Sequence, residues 1–360
     1  MKKVLLTSSA LAATFAMTAP AMAAEDGLTW NAFTRFFATQ ANVDGGSNDD
    51  SLGDFSTNSE IHLNYQTTAD NGLTYGFKIE LETDQGNNNN VDENYIFVSG
   101  DFGKIELGDD DAASEDFDIN GTSGFTFGQL NNATGAAPDE DFLSLLGDNT
   151  VASIGVRTST ELAIDSSDDT KISYFTPSFG GFSAGVSYVP NDSQGQDLSD
   201  DGDFEDLFAL GLGYDHSFDS ADLAVGFSAV TATVNDGTVQ DETYVGLSLG
   251  AEVGVAGFTF SANVSNNDVD NVGDVLTYAA AVSYSFGAFT ANVGGLYSES
   301  DFDDGIAVDE EFTAATAGLT YNIAPGLQAF VAGTAGTLEE DGNQPDEDLL
   351  SVTTGVQVSF

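Results

Sequence analysis

The stretch LTYGFKIELET, Leu73 to Thr83, puts Leu73, Tyr75, Phe77, Ile79 and Leu81 on one side of an extended chain. Lys78, Glu80 and Glu82 fall on the other side. A period of two held over eleven residues predicts a strand, not a helix. About 9–11 residues is also what a tilted strand needs to cross a bilayer. The same alternation returns in FALGLGYD (208–215), GFTFSANVS (257–265), LTYAAAVSYSF (276–286) and LLSVTTGVQVSF (349–360).

Working outward, this pattern predicts sixteen strands, near 28–40, 58–69, 73–83, 93–100, 104–109, 170–176, 181–189, 204–216, 221–233, 242–253, 257–266, 275–286, 288–299, 311–323, 327–338 and 349–360. Tight connectors, such as 69–72, 101–103, 286–288 and 324–326, alternate with long acidic ones at 41–57, 84–92, 190–203, 234–241, 266–274, 299–310 and 339–348. An even strand number with alternating short and long connectors is the signature of an antiparallel transmembrane β-barrel. Aromatics near the predicted strand ends (Trp30, Tyr65, Tyr95, Phe182, Tyr188, Tyr214, Phe258, Phe286 and Tyr321) read as an interfacial girdle, or else as strand-core rings of a soluble sandwich. The 40 glycines, often within predicted strands, suit bends in a barrel wall.

The chain carries 59 acidic and 7 basic residues, and no cysteine. Residues 1–23 combine Lys2 and Lys3, an apolar run and Ala21-Met22-Ala23, the pattern of a cleaved secretory signal, which leaves 24–360 as a single barrel domain. The basic residues then remaining are Arg35, Lys78, Lys104, Arg157 and Lys171. A chain this acidic excludes nucleic acid as a partner and repels anionic headgroups. After the signal there is no apolar run long enough for a membrane helix, a test that barrels evade by alternating.

The stretch NYIFVSGDFGKIELGDDD (94–111) resembles the lead into the third loop of the general, sixteen-stranded Gram-negative porins: a strand, a turn of the form G-x-F-G, and a short strand ending in Leu-Gly. TKISYFTPSFGGFSAGVSYVPN (170–191) resembles the strand–turn–strand that follows that loop. The terminal GVQVSF, closing on Phe360, is similar to the strand read by the outer-membrane assembly machinery. The resemblance implies a homotrimeric outer-membrane diffusion porin for small hydrophilic solutes, with an extended loop, 109–169, folded into the lumen as the constriction. It also implies acidic loop residues facing a basic wall.

On that basis Asp109, Asp110, Asp111, Glu115, Asp116 and Asp118 are the candidate constriction acids. Glu80, Glu82 and Glu106 share inward parity as wall acids, and Arg35, Lys78, Lys104 and Lys171 are the candidate basic wall. Carboxylates lining a pore concentrate cations, so cation preference is expected. Read without the resemblance, the run 109–118 is a solvated outer loop. No cofactor is required by this reading. Asp268, Asp270 and Asp274 form a candidate calcium loop, which Asx and glycine turn chemistry explains equally well. Diffuse divalent binding by external loops would bridge them to lipopolysaccharide phosphates. The competing class is a secreted, calcium-stabilised, acidic β-rich structural or adhesin protein. Catalysis is not expected: His62 and His216 lie on separate strands with no marked nucleophile.

Overall fold

The computed structural model describes residues 27–45, 50–82, 91–121, 154–164, 166, 168–191, 203–235, 239, 241–303, 306–340 and 346–360. Among them run sixteen strands: β1 (Gly27–Asp44), β2 (Asp50–Thr68), β3 (Thr74–Glu82), β4 (Val91–Gly100), β5 (Gly103–Asp109), β6 (Thr170–Phe175), β7 (Phe182–Asn191) and β8 (Phe204–Ser217), then β9 (Ala221–Val234), β10 (Glu242–Val255), β11 (Phe258–Val269), β12 (Gly273–Phe286), β13 (Phe289–Phe302), β14 (Glu310–Ala324), β15 (Leu327–Glu340) and β16 (Glu347–Ser359). Each pairs with its sequence neighbour, and β16 returns to β1, closing the barrel. The closing ladder is antiparallel and runs from Phe33 opposite Ser359 to Asp44 opposite Asp348.

Alternation sorts each strand into two faces. Leu28, Trp30, Phe36, Ile96, Phe208 and Leu249 stand on the outward apolar face, each more than a third exposed. That belt face is what a lipid-facing barrel requires and what a soluble sandwich would bury. The second face carries small polar groups and charges that are largely covered, such as Glu106, Lys171, Ser248 and Thr277. At the end with the tight turns, Phe258, Tyr284, Phe286, Phe289 and Tyr321 form a continuous row of rings with centroids 4.2 to 5.7 Å apart. Trp30 packs edge-on against Phe360 at 5.2 Å in the same rim. Tyr95 is a correction to the predicted girdle. Ile96 takes the belt side of β4 and Tyr95 turns to the second face, with the Lys78 ammonium 5.9 Å from its ring.

The long connectors are shorter than the acidic composition predicts. The connector expected at 266–274 contracts to 270–272, because β11 runs to Val269 and β12 starts at Gly273. Likewise β1 extends to Asp44 and β2 begins at Asp50, inside the expected 41–57 loop. A ladder needs only backbone groups, so acidic side chains projecting into water do not end it. Residues 1–26 and 122–153 lie outside the described residues, and with them the expected signal segment and the middle of the expected 109–169 loop.

Between β5 and β6 the chain leaves the sheet and packs on the second face. Ile154, Leu162 and Ile164 form one apolar cluster with Leu207, Val230, Tyr244 and Val275 of β8, β9, β10 and β12. A second cluster joins Val156 to Phe37, Phe312, Phe330 and Leu349 of β1, β14, β15 and β16, so among the described residues the apolar core lies between this segment and the wall.

Candidate functional site

The segment begins where β5 ends. Asp109 still pairs with Thr170 of β6 and accepts a hydrogen bond from its hydroxyl. A short helix follows, α1 (Ala113–Asp116), with the Ala112 amide donating to the Glu115 carboxylate at 3.0 Å. Four wall strands then hold the chain in turn. The Ala113 amide donates to Ser187 of β7 at 2.9 Å, and Ser228 of β9 donates to the Ser114 carbonyl. Ser248 of β10 and Asn263 of β11 both donate to the Asp118 carboxylate, at 2.6 and 3.2 Å. Side chains would obstruct this approach: a Cβ on Gly226 or Gly250 would overlap the carbonyl oxygens of Phe117 and Ile119.

The returning limb is fixed the same way. The Arg157 amide donates to Ser298 of β13 at 2.9 Å, and the Ala163 amide to Asn267 of β11 at 2.7 Å. Tyr244 of β10 donates to that same Asn267 oxygen at 2.6 Å and accepts the Ile164 amide. The two limbs touch through Asn120 and Glu161.

The six run acids thus divide by role. Asp109 belongs to the ladder, Glu115 caps α1, and Asp118 is an anchor to β10 and β11. Burial pushes the Asp110 carboxyl up to about 9, reinforced by Glu106 and Glu93. Burial likewise raises Asp116 to about 8, against the opposing pull of Lys104. Asp111 lies with Glu93 of β4 and Asp168, one oxygen of each within 4.8 Å of the others. Burial, and then the neighbouring Asp92 and Asp111, raises Asp168 to about 8.

The wall charges interleave instead of separating into acidic and basic sides. Lys78 on β3 reaches Glu80 and, on β4, Glu93, each at 2.6 Å. Lys104 on β5 meets Glu106 at 2.6 Å and lies 5.1 Å from the Phe175 ring. Residues two apart on a strand share a face, which is why sequence neighbours pair here. Arg35 on β1 donates to Gln357 at 2.7 Å and Asn58 at 3.2 Å. Lys171 on β6 is 3% exposed, and Glu82 sits opposite Glu60 across the β2–β3 ladder. Asp268 and Asp274 face each other across β11 and β12 with Asp270 in the turn. Among the described residues they are not one of the three-ligand groups that could hold an ion.

Sequence reasoning did not single out Glu93, Asp168 or the anchoring residues Ser187, Ser228, Ser248, Asn263, Asn267 and Tyr244. The anchors carry a weak signal, small polar residues at second-face parity on consecutive strands.

A closed antiparallel barrel with an apolar outer belt, and a segment packed on its other face, defines a transmembrane β-barrel protein. Residues 7–343 match the family described as Gram-negative porin, and the chain belongs to that family: it is a channel-forming barrel of the outer membrane. A porin of Rhodobacter capsulatus is 25% identical over 291 residues, covering 67% of this chain and 87% of that one. Among solved structures, an anion-selective porin from Comamonas acidovorans superimposes with a TM-score of 0.63 at 19% identity, over 92% of this chain and 100% of that one. The trimer form of OmpT, an outer membrane protein of Vibrio cholerae, gives 0.58 at 16% identity, over 93% of this chain and 100% of that one.

Proposed function

We propose that this porin is a homotrimeric, cation-preferring diffusion channel for small hydrophilic solutes and ions, narrowed by the segment between β5 and β6 folded into its lumen. One observation carries the selectivity: from Ile172 to Phe360, which includes β7 to β16, the chain has no Lys or Arg. The wall strands on that side offer an anion no Lys or Arg, Arg157 of the packed segment being the one base held against them, while acids such as Glu252 and Glu310 are built into them. On the other half, Lys78 and Lys104 are already engaged by glutamates. The field inside is therefore negative on balance, which raises cation and lowers anion concentration. The anion-selective Comamonas porin shares the fold, and selectivity follows from wall charge rather than fold.

The trimer reading is supported by the trimeric form of the Vibrio protein. Export through a cleaved 1–23 signal, recognition of the Phe360 strand by the assembly machinery, and divalent bridges from the acidic loops to lipopolysaccharide complete the reading. Phe360 is 70% exposed, and its backbone bonds to Ala32 of β1 in both directions, so its ring is available at the closing seam. Reconstitution in planar bilayers tests the proposal. It expects conductance steps in threes, and a zero-current potential whose sign shows excess cation flux. Single steps, or the sign of excess anion flux, would overturn the trimer or the selectivity respectively.

A further inference from the structure

His62 of β2 stands directly opposite Glu80 of β3, and Glu60 lies two residues before it on the same face. Its Nε2 is 3.1 Å from Glu60 Oε2, and its Nδ1 contacts Glu80 Oε1. A neutral imidazole has one N–H. Whichever nitrogen carries it, the other presents a lone pair to a carboxylate, and either a second ring proton or a bound cation makes both contacts attractive. Charge points the same way. Glu60, Glu80 and Glu93 gather here, and Lys78 is shared between the last two. Arg35, the other nearby base, is bound by Gln357 and Asn58.

We propose that Glu60, His62 and Glu80 form a binding site for one zinc-class divalent cation on the channel wall. One ligand atom from each lies within 4.8 Å of the others. Two ligands on tetrahedral zinc at about 2.0–2.1 Å stand about 3.3 Å apart, close to the His62–Glu60 separation. An imidazole nitrogen with carboxylate oxygens suits zinc, copper or nickel, whereas calcium takes oxygen alone. The three side chains are carried by two paired strands, so the site is held before the ion arrives. Glu80 has two carboxylate oxygens: when Nε2 binds the ion, Oε1 accepts the Nδ1–H, the orienting role that metal-bound histidines usually find in a carboxylate, and the other oxygen serves the ion. The remaining coordination positions take water from the channel. The assignment is independent of the selectivity reading, because its readout is spectroscopic.

The chain has only two histidines, which makes the test sharp. The folded, detergent-solubilised protein is given one equivalent of Cu²⁺ in excess Ca²⁺, which occupies the diffuse carboxylate sites, and its electron paramagnetic resonance spectrum is recorded. The expected spectrum shows nitrogen coupling from one imidazole, retained in His216→Gln, abolished in His62→Gln and displaced by one equivalent of Zn²⁺. Glu80→Gln, which keeps the shape of the side chain, should weaken Cu²⁺ binding by about tenfold or more. Oxygen-only coordination in the unaltered protein, coupling that survives in His62→Gln, or coupling that Zn²⁺ does not displace would each overturn the assignment. If His62→Gln fails to fold, the unaltered and His216→Gln spectra and the Glu80→Gln titration still decide it.

Discussion

The first six strands of the barrel wall and the remaining ten are built on different chemistry. From β1 to β6 the second face carries Arg35, Lys78, Lys104 and Lys171 together with Glu60, Glu80, Glu93 and Glu106. From β7 to β16 it carries mainly small polar and apolar groups, among them Ser187, Ser228, Ser248, Asn263 and Thr277, with no base. The segment after β5 lies against this second half, anchored by neutral donors to its carbonyls and to Asp118. The first part pairs its charges internally, while the base-free part supports a peptide. Dividing the work this way leaves the long acidic segment held by hydrogen bonds from a side of the wall that has no Lys or Arg, where the porin resemblance implies a basic wall facing it.

The comparison can be broken most severely from outside. Leu249→Lys puts a charge on the belt face of β10, where Leu249 is 51% exposed. Near the bilayer midplane such a charge costs about 2–4 kcal/mol, to be read from reversible unfolding in lipid vesicles. An unchanged stability would show that this face does not meet lipid. On the charged half, Lys78→Met strips Glu80 and Glu93 of their shared cation. A loss of about 1.5–3 kcal/mol is expected, with a shift toward stronger cation preference. On the base-free side, Ser248→Ala removes a donor to Asp118 while Asn263 remains. That change should cost only about 1 kcal/mol, and greater current noise from a loosened segment should accompany it.

Acid–base behaviour sharpens the same contrast. Asp110 and Asp116, held near about 9 and about 8, bind protons more tightly folded than unfolded. Between the unfolded carboxylate value of about 4 and those folded values, stability therefore falls as pH rises. Thermal unfolding of the folded protein should shift downward from pH 6 to pH 10. An unchanged midpoint over that interval would place these carboxyls in water.

All sixteen strands were legible because a lipid-facing wall forces strict alternation, as in Leu73 to Leu81. The connector 266–274 was misjudged because Asn266, Asn267 and Asp268 look like loop residues, yet project from a ladder that needs no apolar side chains. The segment's course was not legible. Its contacts join residues more than a hundred positions apart, as Asp118 does with Ser248 and Asn263. Mid-strand glycines suit bends in the wall, yet Gly226 and Gly250 leave room for its backbone. The pairing of Lys78 with Glu80 was available in the sequence as a same-face neighbour, but the resemblance directed attention to a separated basic wall.

The central claim is that a base-free half makes the channel prefer cations. The most direct measurement is the zero-current potential across a potassium chloride gradient at pH 7 and again at pH 10. Cation preference at pH 7 that grows at pH 10, as Asp110 and Asp116 ionise, is the predicted result. Anion preference at pH 7 would contradict it.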